Sequence, residues 1–449
     1  MERREPSQAG PTGAADARAH GDPANRGQVD PRAEAAVRSQ LGLFVIWQNS
    51  RREEKRILAD LNRLFDVLAV QEVHWSPELV EQNFERFYSD RDVRGVYHVL
   101  SKGAGPFLAV TLVDRSPAQE ERMTARGHRT VNGRFLDAKL RYREWLGSLG
   151  VHCSETTWET RRDLRMLLDV EASSESVAST RWNGKVEVLR RDVTGARGWG
   201  SAREVFSALN VSVDYVVIGD SSSPGATSPM DGERPMQLLT AQYHTLHTVL
   251  NARPVLGSPP PLGGCFAVSI AGRTVVVGLR VVGDGFLDPR WAGECLATRA
   301  CGEDGVYRAS AQDRFATFCY RAVVQSPCLT TDDKAQMTAM AQSLGLAGWS
   351  LAELDDPLRV KERLDDLLRA RGISYVRPRD PTVFVNFAAL GSRWPRVHRA
   401  FGAARRWCYS ILNGAVMFGK ARYLRTRDRL LRSAPVLRRL KSALAGRQP

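Results

Sequence analysis

Between Leu41 and Leu168 short β-branched apolar runs alternate with segments of helical period, and this alternation constrains the fold more than any other feature of the chain. Leu43 to Trp47 reads as a strand, and Phe65 to Val73 as a second. Between them, Arg51 to Leu64 carries Ile57, Leu58, Leu61 and Leu64 at helical spacing. Ser76 and Pro77 have the residue types of an N-cap and a first helical position, predicting a helix that runs to Tyr88. Phe107 to Val113 reads as a third strand and Thr156 to Leu168 as a closing helix. That order predicts a small α+β sandwich over 41–170.

The polar stretch 171–181 (EASSESVASTR) marks a linker. A second unit follows over 182–392. Ala202 to Leu209 reads as a helix, Val213 to Ile218 as a strand, and Ser221 to Arg234 as a polar loop. Met236 to Leu250 reads as strand then helix. Ser258 to Gly264 is a rigid turn, and Cys265 to Ile270 pairs with Thr274 to Val282 as a hairpin around Ala271-Gly272-Arg273. From Pro289 to about Arg371 the pattern is helical, and Val383 to Phe387 is a short apolar run.

The net charge of +14 is not spread over the chain. Arg393 to Pro449 holds 15 Lys/Arg against the single acid Asp428, so the remaining residues are neutral in sum. Residues 1–40 carry few large apolar side chains and cannot bury enough surface to order, which predicts disorder. They hold too many acids for a transit peptide and no apolar stretch for a secretory signal. The seven cysteines (153, 265, 295, 301, 319, 328, 408) form no CxxC pair, which points to a reducing compartment and argues against a metal centre. No run of about 18 apolar residues is present to cross a bilayer. The expected location is cytoplasmic.

Several stretches of the first unit resemble nucleoside diphosphate kinases. They are Ile57 to Trp75, Asn83 to Tyr88 (NFERFY), Gly105-Pro106-Phe107 with the strand after it, and Val151-His152-Cys153-Ser154-Glu155 with the following helix and its Asp163-Leu164. The resemblance implies a ferredoxin-like domain and places His152 where that family carries its phosphorylated nucleophile. An imidazole nitrogen can take a phosphoryl group and pass it on, splitting one transfer into two. A nearby carboxylate would orient the ring, and Glu155 is the local candidate. The chain departs from the family at Trp47-Gln48-Asn49, where the family has Lys-Pro-Asp. Arg126, Arg134, Arg141 and Arg143 are candidate phosphate contacts in its place. Two further readings of His152 stay open: nucleotide binding without transfer, and a polar strand-end residue on a retained fold.

The stretch 41–387 also resembles two-part proteins found among surface-polysaccharide genes, whose second part is nucleotidyltransferase-like. The residues that carry it are Gly198-Trp199, Glu204 to Asn210, Asp214 to Val217, Arg280 to Asp288 and Trp291. Such proteins hold two divalent ions on three strand carboxylates. Here the matching positions read Pro235, Gln237 and Gly278, which cannot replace charged oxygen ligands of Mg²⁺. The resemblance therefore implies an α/β nucleotidyltransferase-like domain with a helical extension that has lost metal-dependent transfer. Arg280, Asp284, Asp220 and Asp231 are candidate nucleotide-binding residues, with Asp220 and Asp231 as candidate replacements for the lost acids. Mg²⁺ with nucleotide is expected only if catalysis is retained. The alternative for Gly283-Asp284-Gly285 is an ordinary turn.

The tail 393–449 is basic and amphipathic. Trp407 and Tyr409 are interfacial aromatics, and Arg425, Arg429, Arg432, Arg438 and Arg439 supply charge beside apolar residues at helical spacing. The expected partner is an anionic membrane surface, bound peripherally at the inner face. A solvated tail is the alternative. No nucleic-acid reader motif is present. The expectation for the whole is a nucleotide- or phosphosugar-handling transferase, intact or degenerate, in surface-glycan assembly. Its rivals are a non-catalytic binding or scaffold protein and, third, a nucleic-acid-associated protein drawn in by the tail.

Overall fold

A computed structural model describes residues 39–90, 94–124, 126–171, 181–219, 235–255, 264–380 and 383–386. Most of the 1–40 segment, most of the 171–181 linker, the loop with Asp220 and Asp231, and the whole 393–449 tail lie outside the described residues.

The architecture is α+β. The first sheet holds β1 (Gln40–Ile46), β2 (Asp66–His74), β3 (Phe107–Asp114), β6 (Val151–Cys153) and β7 (Glu187–Arg190), in the order β6-β1-β3-β2-β7. β1 pairs antiparallel with β3 and β6, β2 antiparallel with β3, and β7 parallel to β2. Both faces of this sheet are covered, which is why its central strands read as continuous apolar runs. Along β1, Phe44 and Ile46 pack with Ile57, Leu61, Phe135 and Tyr142, contributed by α1 (Glu54–Leu64) and α4 (Gly133–Leu146). Leu43 and Val45 face the other way, toward Phe84, Leu164 and Leu167 of α2 (Val80–Phe87) and α5 (Thr157–Leu168). Between α2 and β3 lies a short helix, α3 (Gly95–Lys102), and β4 (Gln119–Thr124) and β5 (Gly127–Asn132) form a separate hairpin before α4.

Ser76 does not cap a helix. It precedes a 3₁₀ turn, Pro77–Leu79, without a side-chain cap, and its hydroxyl donates to Asp192 Oδ2 at 2.8 Å. Its oxygen accepts from Arg197 Nη2 at 2.7 Å, a charged donor that takes the place of a helix amide. The helix proper ends at Phe87. By contrast, Thr156 caps α5 as its residue type predicts, accepting from Glu159 N at 3.1 Å.

The second sheet holds β8 (Tyr215–Gly219), β9 (Met236–Thr240), β10 (Arg253–Pro254), β11 (Gly264–Ile270), β12 (Arg273–Val281), β13 (Ala300–Cys301) and β14 (Tyr307–Arg308) in the order β10-β11-β12-β9-β8-β14-β13. The β11–β12 hairpin turns at Ala271 and Gly272, with φ of 49° and 73°. β9 and β12 run parallel. α6 (Ala202–Asn210) and α7 (Tyr243–Leu250) cover one face, and their side chains join the same apolar cluster as Trp47 and Phe84, so one core runs through both sheets. The opposite face is covered by α8 (Pro289–Ala297), α9 (Ala311–Val324), α10 (Thr331–Ser343), α11 (Leu351–Leu354) and α12 (Pro357–Ala370). The purely helical reading from Pro289 onward is corrected by the small β13–β14 hairpin, whose Arg308 pairs with Val217 of β8. Among the described residues no helix is long and apolar enough to cross a membrane, and the six cysteines are unpaired.

Candidate functional sites

The second, central sheet brings Pro235, Gln237 and Gly278 together. Parallel pairing of β9 and β12 sets Gly278 directly opposite Gln237, and Pro235 lies two residues before Gln237. Gln237 is buried, and both ends of its amide are engaged. Oε1 accepts from Arg280 Nε at 2.7 Å, and Nε2 donates to the Pro235 carbonyl at 2.8 Å. Arg280 continues the chain by donating Nη1 to Asp380 Oδ2 at 2.9 Å, with its guanidinium 4.2 Å from the Phe286 ring centre. Arg280 is 4% and Asp380 2% exposed, so this is a buried ion pair whose charges neutralise one another.

A side chain at 278 has no room. A Cβ there would lie 2.5 Å from Gln237 Cδ and Nε2. Gly219, at the end of β8, is closed similarly, because a Cβ would lie 3.1 Å from Arg321 Cζ. Among the described residues the site offers an amide oxygen and one carboxylate held by Arg280. Hard divalent cations need several charged or carbonyl oxygens, so this donor set does not fit Mg²⁺. Among the described residues no three His, Cys, Asp or Glu side chains group as a metal would require. Asp220 and Asp231 lie outside the described residues.

Asp284 does not reach into this cluster with its carboxylate. Oδ2 accepts from Val281 N at 3.0 Å and Oδ1 from Phe286 N at 2.7 Å, which closes the Gly283–Gly285 turn. Burial pushes its carboxyl upward against those two bonds. The turn reading therefore accounts for both of its oxygens.

His152 occupies the middle of β6, opposite Val45, with its side chain 15% exposed. The orienting carboxylate is Asp163, not Glu155. His152 Nε2 lies 2.7 Å from Asp163 Oδ2, which also accepts the Ser154 hydroxyl at 2.9 Å. Glu155 turns away to Lys139 of α4, and its backbone N–H donates to Glu159 Oε2 at 2.7 Å. The reason is geometric. Once Thr156 caps α5, positions 159 and 163 fall one turn apart on the face that looks back at β6. With Nε2–H donating to Asp163, Nδ1 keeps its lone pair. Burial holds the imidazole below its ordinary pKa, against the pull of Asp163. The edges of Phe87 and Tyr88 wall it, at 5.2 and 5.6 Å between ring centres.

The arginines considered as phosphate contacts are all engaged elsewhere. Arg126 pairs with Asp90 at 2.7 Å and with Glu159. Arg134 holds Asp114, Arg141 lies 3.7 Å from Asp60, and Arg143 donates to the Val151 carbonyl at 3.1 Å. Although burial works against it, Arg126 and Arg129 keep the Glu159 carboxyl below its usual range. The region around His152 is thus a mutually neutralised network, with Lys139 pushed down to about 8 by burial. Trp47, at the first departure from the kinase pattern, is fully buried against Phe84 and Phe107, with ring centres 5.0 and 4.6 Å away. Gln48 accepts from Gly105 N at 2.8 Å.

No family model matches the chain, and no curated protein matches it. Among solved structures, the orthorhombic C222 form of the Aquifex aeolicus nucleoside diphosphate kinase is similar over 28% of this chain and 92% of that chain, with a TM-score of 0.21 and 14% identity. A likeness at that score says nothing of what the site does. The strands and side chains described above carry the functional reading.

Proposed function

We propose that this chain is a degenerate transferase-type protein. It binds a nucleotide or phosphosugar on a nucleotidyltransferase-like sheet without running metal-dependent transfer there. The observation that carries this reading is the Gln237–Arg280–Asp380 chain. It fills the place where paired carboxylates would hold divalent ions, and Gly278 leaves no space for another. The order of the first sheet supports the ferredoxin-like reading of the first domain. Surface-polysaccharide assembly at the inner membrane face follows from the sequence resemblance and the basic tail. The test is calorimetric titration of the full chain with ATP and with a UDP-sugar, in Mg²⁺ and in EDTA. Equal affinity in both supports the reading. Binding that requires Mg²⁺, or release of pyrophosphate on turnover, overturns it.

A second reading has its own observation, the His152–Asp163–Ser154 arrangement. In it, His152 Nδ1 attacks the terminal phosphorus of a nucleoside triphosphate. The bond to the bridging oxygen breaks, and the diphosphate leaves with that electron pair. Acid-labile, base-stable label from γ-labelled ATP, lost in His152→Gln, would support it. Absence of label would remove it.

A further inference from the structure

We infer that the cleft between the end of β2 and the loop after β7 is a binding site for a small-molecule oxyanion, separate from the central sheet. The cleft encloses about 520 Å³ and is lined by His74 to Pro77 on one side and Arg190 to Gly198 on the other, with Glu204 of α6 at its rim. That volume lies within the roughly 300–1,000 Å³ of small-molecule sites, and clefts where two units of a fold meet are common places for them.

The charge of the lining is unbalanced in one direction. Its two carboxylates are already engaged. Asp192 accepts from Ser76 N at 2.9 Å, from Ser76 Oγ at 2.8 Å, from Asn83 Nδ2 at 2.8 Å and from Arg197 Nε at 3.1 Å. Glu204 accepts from Gly200 N at 2.7 Å. Of the three lining arginines, Arg191 is anchored to the Leu168 carbonyl at 2.6 Å, and Arg197 to Asp192 and Glu78. Arg190 is exposed, and its side chain forms no hydrogen bond or ion pair with any described residue. It is the register partner of His74 across the parallel β2–β7 pair, so a built strand and not a loose loop presents it.

Trp75 of the lining is packed against Phe84 and Phe107 and makes the near wall rigid. The far wall is preformed. Gly195 and Gly198 take φ of 76° and 105°, and a Cβ at Gly195 would lie 2.5 Å from the Trp199 ring. An unmatched guanidinium on a rigid cleft whose two carboxylates are engaged is the complement of a phosphate or carboxylate group, the chemistry arginine binds best.

The test uses the full chain, with inorganic pyrophosphate and citrate as probes in separate calorimetric titrations at fixed ionic strength. Either probe should bind, and the tighter one identifies the class of oxyanion. Arg190→Glu, an exposed change, should weaken that binding by roughly tenfold or more at an unchanged thermal midpoint. No heat from either probe, or Arg190→Glu binding like the wild type, overturns the inference. So does binding lost in Arg280→Gln and kept in Arg190→Glu, which would assign the anion to the central sheet.

Discussion

Replacing Gly278 by alanine is the sharpest probe of the central-sheet cluster. The added methyl would lie 2.5 Å from Gln237 Cδ and Nε2, well inside contact distance. A long side chain normally swings away from such a clash. Gln237 cannot do so freely, because Arg280 holds its oxygen, the Pro235 carbonyl holds its nitrogen, and only 4% of it is exposed. Overpacking of this kind costs about 1–3 kcal/mol. Breaking the bond from the Arg280 guanidinium adds about 1.5–3 kcal/mol, the usual worth of a hydrogen bond to a charged group. Gly278→Ala should therefore lose about 2.5–6 kcal/mol in urea unfolding followed by circular dichroism. Gln237→Ala alone removes the Arg280 bond and leaves a void. In the double variant the methyl enters that void, so the two losses should fall short of additivity by about 1–3 kcal/mol. Strict additivity, or a Gly278→Ala protein as stable as the wild type, would refute the claim that Gln237 fills this position.

Other outcomes rest on the same geometry. Because the folded pKa of His152 lies below its unfolded value of about 6.5, the unfolded chain binds the proton more readily, and stability should fall as pH drops through about 6.5 toward the lowered value. His152→Gln should flatten that part of the urea-midpoint profile, and an unchanged slope would count against the assignment. Asp163→Asn should cost about 1–3 kcal/mol and lower the His152 pKa further in an NMR titration, since the ring loses its only carboxylate at hydrogen-bond distance among the described residues. If that pKa rises instead, Asp163 is not the orienting group. Arg86 is fully buried and donates to the carbonyls of Thr194 and Thr248, joining α2 to the elements around the second sheet. Arg86→Lys cannot span both carbonyls and should lower the thermal midpoint, by about 2 kcal/mol in stability terms. An unshifted midpoint would show that the clamp contributes nothing.

How much of the molecule is legible in the sequence depends on how local each determinant is. The strands around Leu43 and Val110 are readable because both sheet faces are covered, leaving apolar runs, and the strand around Val70 is readable from its Val67-Leu68-Ala69-Val70 stretch. The hairpin at Ala271-Gly272 is readable from its turn residues. α4 is not, because its buried face includes Lys139, whose ammonium is held by Glu155, and a charged residue hides the apolar stripe. β7 escapes notice because its residues are mostly exposed and show no alternation. At the sites, the uncharged residues Pro235, Gln237 and Gly278 are visible in the sequence, and the β9–β12 register brings Gln237 and Gly278 together. The Arg280–Asp380 pair spans 100 residues and leaves no local trace. Sequence proximity selects Glu155 as the partner of His152, whereas the helix turn brings Asp163 to it. The helical cap at Thr156 is the signal in the sequence that points to Asp163.

One buried cluster decides whether the central sheet can hold a divalent ion. Manganese titration of the full chain, followed by electron paramagnetic resonance in the presence of saturating nucleotide, reads it directly. The prediction is that the free-ion signal matches that of nucleotide alone, because Asp380 is held by Arg280 and Gln237 offers only an amide. A tightly bound ion on the chain that disappears in Asp380→Asn would contradict it.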